Sequence, residues 1–370
     1  EPYGSWDSVV KDGSTSRWWT GVSFSESRLD ENLLYAGTDD GVVSVSQDGG
    51  GNWRKIRELP GVPEYTYVSD LLADRFDADV VYATFDNRKR DDFAPYVLKS
   101  TDRGNSWVSI AGNLPDDETV HTIEQDPQIP GLLFVGTEFG VYFTLDCGET
   151  WNGLQSGMPT ISVRDMAIQE RENDLVVATF GRGFYILDDY TPLREMAMSQ
   201  EITDKEAHIF PVEEALMYIQ TGGKYGQGSD FYRSPNPPFG ATFTYYLKEV
   251  PKTLREERRE KEKELFGEQQ PIPQPTRERL REEAAEEAPY LVFAIRDESG
   301  NGVRKLYKKA SKGINRISWD LRYSSPYPVS APSGGGGEAS GDRVESSDPG
   351  LLIMPGTYSV ELHLVARGEV

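Results

Sequence analysis

One eight-residue pattern occurs three times in this chain and constrains its fold more than any other feature. Ser46, Asp48, Gly50 and Trp53 stand in the spacing Ser/Thr-x-Asp-x-Gly-x-x-Trp. So do Ser100, Asp102, Gly104 and Trp107, and again Thr144, Asp146, Gly148 and Trp151. The aspartates lie 54 and then 44 residues apart, and the longer step contains a polar insert at 87–92. The underlying unit is therefore about 45 residues. Each position has a structural task. An Asp in a hairpin turn accepts backbone N–H bonds, and the Gly supplies a left-handed position at low cost. The hydroxyl serves the same turn, and the Trp folds back to bury a large apolar area. The aspartates read as turn staples, not catalysts.

Each copy has the same surroundings. An apolar strand ending in a small-residue pair precedes the Asp, at 33–37, 80–84 and 132–136, and a fourth copy stands at 175–179 without the pattern. Weaker strands precede these at 22–25, 68–73, 120–124 and 163–168, and alternating strands follow at 42–46, 96–100, 141–145 and 184–187. A short strand after each Trp completes four antiparallel strands, which is a β-propeller blade. The expected fold class is all-β, with four propeller blades over 1–212, a linker at 213–240 and a β-sandwich over 241–370. In the fourth unit Asp188, Asp189 and Tyr190 take the place of the box. Residues 206–212 are expected to supply that blade's outer strand; the alternative is that 209–218 joins the sandwich. Four blades leave open edges that ring closure would remove. The missing blades are expected upstream of Glu1, on the same precursor or a companion chain.

Three boxes in one register resemble the BNR/Asp-box propellers: sialidases, tandem-propeller xyloglucanases and the sortilin/VPS10 family. The segments 33–41, 136–142 and 178–189 are similar to large bacterial proteins with sortilin-like propellers, which carry the label glycosyl hydrolase. The resemblance implies an exported protein (periplasmic, cell-surface or extracellular) whose propeller binds peptides. It also implies a His where Phe180 stands here.

In the second half, strands are expected at 241–248, 290–297, 303–307, 314–321 and 357–365, with a hairpin turn at 298–302. The segments 313–322 and 354–360 resemble the Ig-like β-sandwich of hook-cap-type and secretion-associated modules. That resemblance makes Trp319 a core residue and Pro355–Gly356 a turn before a strand. A helical hairpin is expected as an insert at 253–288. Thr253 and Glu256 form a capping box, Glu257 and Lys261 pair along the helix, and Thr276 caps a second helix. Its apolar stripe is thin, which marks a solvated insert rather than a docking arm. The Gly/Ser-rich stretch 330–350 is expected to be a mobile loop.

Charge narrows the function. Asp and Glu outnumber Lys and Arg by 61 to 39, a net charge of -22, which excludes nucleic acid as a partner. No stretch reaches the roughly 18 apolar residues of a membrane span. Cys147, the single cysteine, allows no internal disulfide and reads as a turn filler. The three histidines, His121, His208 and His363, are isolated in sequence, and no metal or nucleotide motif occurs. No cofactor is expected. Calcium would find oxygen donors at Asp91, Asp92, Asp116, Asp117 and Glu118, without an EF-hand spacing.

Catalysis would therefore rest on carboxylates. The candidates are Asp39, Asp40 and Glu138, which follow the second strand of their blades, with Arg164, Asp165 and Arg182 as binding residues. The expected function is non-catalytic recognition of a protein, peptide or glycan through the propeller face. One alternative is a sialidase- or xyloglucanase-like glycoside hydrolase that needs further blades. The other is a structural subunit of a cell-surface assembly.

Overall fold

Each repeat unit folds into its own antiparallel sheet in the computed structural model, which describes residues 20–154, 157–219, 236–326 and 350–369. Blade one is β1 (Gly21–Glu26), β2 (Leu34–Thr38), β3 (Val43–Ser46) and β4 (Arg54–Ile56), paired in that order. Blade two repeats it with β5 (Tyr67–Ala73), β6 (Val81–Asp86), β7 (Tyr96–Ser100) and β8 (Val108–Ser109). Blade three is β9 (Val120–Gln125), β10 (Leu133–Thr137), β11 (Val141–Thr144) and β12 (Asn152–Gly153). Blade four has three strands among the described residues: β13 (Val163–Gln169), β14 (Asp174–Thr179) and β15 (Phe184–Leu187). The chain divides into two units, Glu1–Gln200 with these blades and Glu201–Val370.

The propeller core is one interface used three times. Leu33, Tyr35, Val43 and Val45 of blade one meet Val68, Leu71, Val81 and Ala83 of blade two, with Trp107 beside them. Val80, Tyr82 and Val97 meet Val120, Ile123, Leu133 and Val135, with Trp151 in the same place. Leu132, Phe134, Val141 and Phe143 meet Val163, Met166, Leu175 and Val177. Blade four has no box, and α1 (Thr191–Met198) takes the Trp's role there. Tyr190, at its N-cap, and Leu193 complete the cluster. The Tyr190 ring stands edge-on to Phe134 at 5.3 Å. A helix was no part of the sequence expectation, although Pro192 in the first turn is a start signal.

The boxes have the expected chemistry. The Asp146 carboxylate accepts from the Thr144 hydroxyl at 2.6 Å and the Thr150 N–H at 2.8 Å. Asp48 and Asp102 do the same with Ser46 and Asn52, and with Ser100 and Ser106. Gly148 is needed twice over. Its φ is +96°, and a Cβ there would lie 2.9 Å from Ile110 of blade two.

The expected outer strand of blade four forms elsewhere. β16 (Ala207–Ile209) pairs with β17 (Ala241–Leu247) in the second unit. The Phe210 N–H continues the ladder to the Thr244 carbonyl at 3.0 Å, and Phe210 is buried. The remaining strands of that unit are β18 (Tyr290–Asp297), β19 (Gly302–Lys309), β20 (Gly313–Trp319) and β21 (Tyr358–Val365). They form two three-stranded sheets, β16-β17-β20 and β19-β18-β21, around one core. Phe243, Tyr245, Phe293 and Trp319 fill it. The helical insert forms as α2 (Leu254–Gly267) and α3 (Arg277–Ala285). Neither helix buries a residue, and Arg258 ties them by reaching Glu283 at 2.8 Å. The expected loop at 330–350 lies, Gly350 apart, outside the described residues. Among the described residues no helix is long and apolar enough to cross a membrane.

Candidate functional site

Every inner strand carries a bulge at the same place. The register between β1 and β2 passes over Val22, that between β5 and β6 over Ser69, that between β9 and β10 over His121, and that between β13 and β14 over Arg164. A bulge leaves one residue outside the ladder and re-aims its side chain. In blades three and four that residue is His121 and Arg164, and both reach Glu138, the residue after β10. His121 Nε2 lies 2.8 Å from Glu138 Oε2. Arg88 Nη1 approaches the same oxygen at 3.1 Å, the Ser162 hydroxyl donates to it at 3.2 Å, and Arg164 Nη2 is at 3.5 Å. Asp86 completes the cluster, with Oδ2 3.2 Å from Arg88 Nε and 3.6 Å from His121 Nδ1.

Electrostatics assigns the protonation states. Burial lowers the His121 pKa further than its bond to Glu138 raises it, and Arg164 and Arg88 act in the same direction as burial. A neutral ring then donates from Nε2–H to Glu138, and Nδ1 accepts from Arg164 Nη1 at 3.4 Å. Burial pulls the Glu138 carboxyl up, but the His121 bond and the Arg164 and Arg88 charges outweigh it, so its pKa falls below the ordinary value. Glu138 is thus a fixed anion. A general acid needs the opposite shift. Arg164 lies over the face of Phe180, 5.4 Å from the ring centre, and Phe180 is 71% exposed. The cluster therefore presents a guanidinium on an open aromatic ring, held from behind by a carboxylate. Among the described residues, no three His, Cys, Asp or Glu side chains come together as a metal site.

The structure sorts the candidates read from sequence. Glu138 and Arg164 meet. Asp39 is at the rim, where it accepts from the Thr20 N–H at 3.0 Å. Asp40 is buried and holds the Thr38 hydroxyl at 2.5 Å, a turn contact. Asp165 accepts its neighbour Met166's N–H at 2.9 Å and stays outside the cluster. Arg182 is exposed on the β14–β15 turn. His121, isolated in sequence, is a central member. Asp86, Arg88 and Ser162 carried no local signal. Arg88 comes from the polar insert, where a 3-10 turn, Arg88–Arg90, is closed by Asp91 at a φ of 61°. Aligning the inner strands of blades two to four finds His121 and Arg164, because both precede the polar residue of Val-x-Asp/Thr. At the other ends of these strands a second set of charges ties the blades. Arg75 holds Glu124 at 2.9 Å and Glu170 at 2.5 Å, and Arg28 reaches Glu170 at 3.4 Å.

No protein-family model matches the chain, and no curated protein matches it. Solved propellers are similar to it. YCF48 bound to a D1 peptide aligns at 19% identity and a TM-score of 0.36, covering 46% of this chain and 52% of that one. The GH74 xyloglucanase from Xanthomonas campestris aligns at 14% and 0.35, covering 43% and 26%. An ancestral GH74 enzyme aligns at 12% and 0.36, covering 79% and 33%. This chain thus spans about half of the first and a quarter to a third of the other two. At these values the likeness bears on neither ligand nor reaction.

Proposed function

We propose that this is an exported binding protein of the Asp-box, sortilin-like kind, which recognises a peptide or glycan on the blade face around Arg164 and Phe180 without hydrolysing it. The observation that carries the reading is the set of four donors on one Glu138 oxygen. It turns the best catalytic candidate into a brace. Asp86, the other carboxylate of the cluster, is held by the Arg88 side chain and by the Arg88 N–H at 3.0 Å. Glu138, a fixed anion, is not left as the protonated acid of a glycosidase pair. The guanidinium over an exposed ring suits a ligand carboxylate, a peptide carbonyl or the face of a sugar. The Ig-like kinship of the second unit belongs to the same proposal, as a secretion-associated module.

A peptide and glycan array probed with the 370-residue chain tests this. Binding is expected, with affinity falling about tenfold or more in Phe180→Ala and Arg164→Ala, in line with the loss of a cation–π and hydrogen-bonding contact. Hydrolysis of an array glycan that disappears in Glu138→Gln would overturn the reading in favour of the hydrolase.

A further inference from the structure

The interface between blades two and three turns on one aspartate, and blade four repeats its acceptor half with no further strand packed against it among the described residues. In blade two, Asp70 follows the bulge. Its Oδ1 accepts its neighbour Leu71's N–H at 2.8 Å, and its Oδ2 accepts the Thr122 hydroxyl at 2.9 Å and the Ile123 N–H at 3.0 Å from blade three. Asp165 follows the bulge of blade four and repeats the first half, with Oδ1 on the Met166 N–H at 2.9 Å. Among the described residues no hydroxyl or N–H of a neighbouring strand meets it.

The apolar part repeats in the same way. Val43, Val97 and Val141 pair with Gly37, Thr84 and Gly136, and the matching pair in blade four is Phe184 with Ala178. Val45 with Tyr35, and Phe143 with Phe134, match Ile186 with Val176. The three valines are at most 2% exposed, whereas Phe184 is 74% and Ile186 58% exposed. The valine position that the next blade covers in blades one to three is bare in blade four, and so is the Ile186 position, which Val45 and Phe143 fill in blades one and three and a half-buried Lys99 fills in blade two.

We infer that this face docks a further blade of the same repeat. Its inner strand brings a Ser or Thr hydroxyl and the following backbone N–H to Asp165, and its apolar side chains cover Phe184 and Ile186. The pair of donors is what selects this occupant. A hydroxyl followed by the next N–H on an extended strand is what Thr122 and Ile123 offer Asp70, and the packing face of an amphipathic helix, whose N–H groups beyond the first turn are spent within it, does not offer it. The inference is independent of the ligand proposed above and stands or falls without it.

Two measurements test it. In the 370-residue chain at about pH 5, below the folded-state pKa of Asp70, Asp70→Ala is expected to lower the melting temperature by several degrees, and Asp165→Ala to leave it unchanged. An equal drop for Asp165→Ala overturns the inference, because Asp165 would then have its partner within this chain. The second uses p-benzoylphenylalanine installed at the position of Phe184, in the protein produced in its native cells, with the photo-crosslinked peptide identified by mass spectrometry. The expected product is an inner strand of an Asp-box repeat that is not part of this chain, at a yield reduced at least fivefold by Asp165→Arg. Crosslinks to this chain, whether within one molecule or between two copies, overturn it, as does the absence of any crosslink.

Discussion

Asp70 and the three box aspartates show how far one residue type is decided by its surroundings. Asp146 faces hydroxyls and N–H groups at a turn. Burial raises its pKa, but the bonds from Thr144 and Thr150 outweigh that and hold it below the ordinary value. Asp70 lies between blades, where burial dominates and pushes its carboxyl up to about 6 despite three hydrogen bonds. The linkage has the opposite sign from the usual carboxylate. With a folded pKa near 6 and an unfolded value of about 3.9, the folded chain holds the extra proton between those limits. Asp70's contribution is therefore full below pH ~4 and is lost as pH rises through about 6. Asp70→Asn is expected to flatten the stability curve between pH 4 and 6, read as urea midpoints across that range. A curve as steep as that of the unsubstituted chain would refute the assignment. The box roles of Asp, Gly, Ser/Thr and Trp were all legible in the sequence. The second left-handed residue of each box was not, since Arg103 and Cys147 take it at φ values of 56° and 60° without being glycine. That strain costs about 1 kcal/mol per residue, which a well-bonded turn offsets. Nor does the pattern tell how deep each Trp sits. Trp107 and Trp151 are 8% and 3% exposed against a preceding blade, and Trp53 is 38% exposed.

At the scale of elements, strands were read well and partners less well. Alternation located the three long strands of each blade, because a strand with one face buried must alternate. It did not locate the partner of β16, since a three-residue strand fits either sheet, and its pairing with β17 closes a loop of over thirty residues. The helix α1 is the clearest addition. It replaces a Trp by a polar anchor. Asp126 is fully buried and accepts from Arg194 Nε at 2.6 Å and the Tyr190 hydroxyl at 2.7 Å. A buried ion pair adds little net stability over apolar packing, but halving it strands a charge. Arg194→Met is expected to cost about 3–5 kcal/mol, and the double variant with Asp126→Asn to recover a good part of it. Urea unfolding of the two variants decides the point. A single-variant loss below about 1 kcal/mol would mean that water satisfies Asp126 and that α1 is not anchored there. The candidate site was legible only in part for a similar reason. Glu138 and Arg164 stood in recognisable places, whereas His121, Asp86 and Arg88 are gathered by bulges and a 3-10 turn whose geometry leaves no local pattern.

For the whole molecule, the repeat and the composition together set the architecture. Many short strands go with an all-β chain whose cores are built between sheets. The propeller clusters draw on blades one to four and α1, and the second unit's cluster draws on residues 209–364 alone. Each of these clusters lies within one unit. Within the second unit Trp319 is the largest shared piece. It is 2% exposed, donates from Nε1–H to the Arg322 carbonyl at 2.9 Å and meets the Tyr358 ring edge-on at 5.5 Å. Truncation leaves a cavity between β20 and the strands packed on it, and Trp319→Ala is expected to cost about 3–5 kcal/mol. Separate cores predict a separate response. Hydrogen exchange followed by mass spectrometry is expected to lose protection in β17, β18 and β20 of the variant, while β5, β6, β9 and β10 keep theirs. Loss of protection in both groups together would mean that the two units unfold as one cooperative body, and the division at residue 200 would then be geometric only.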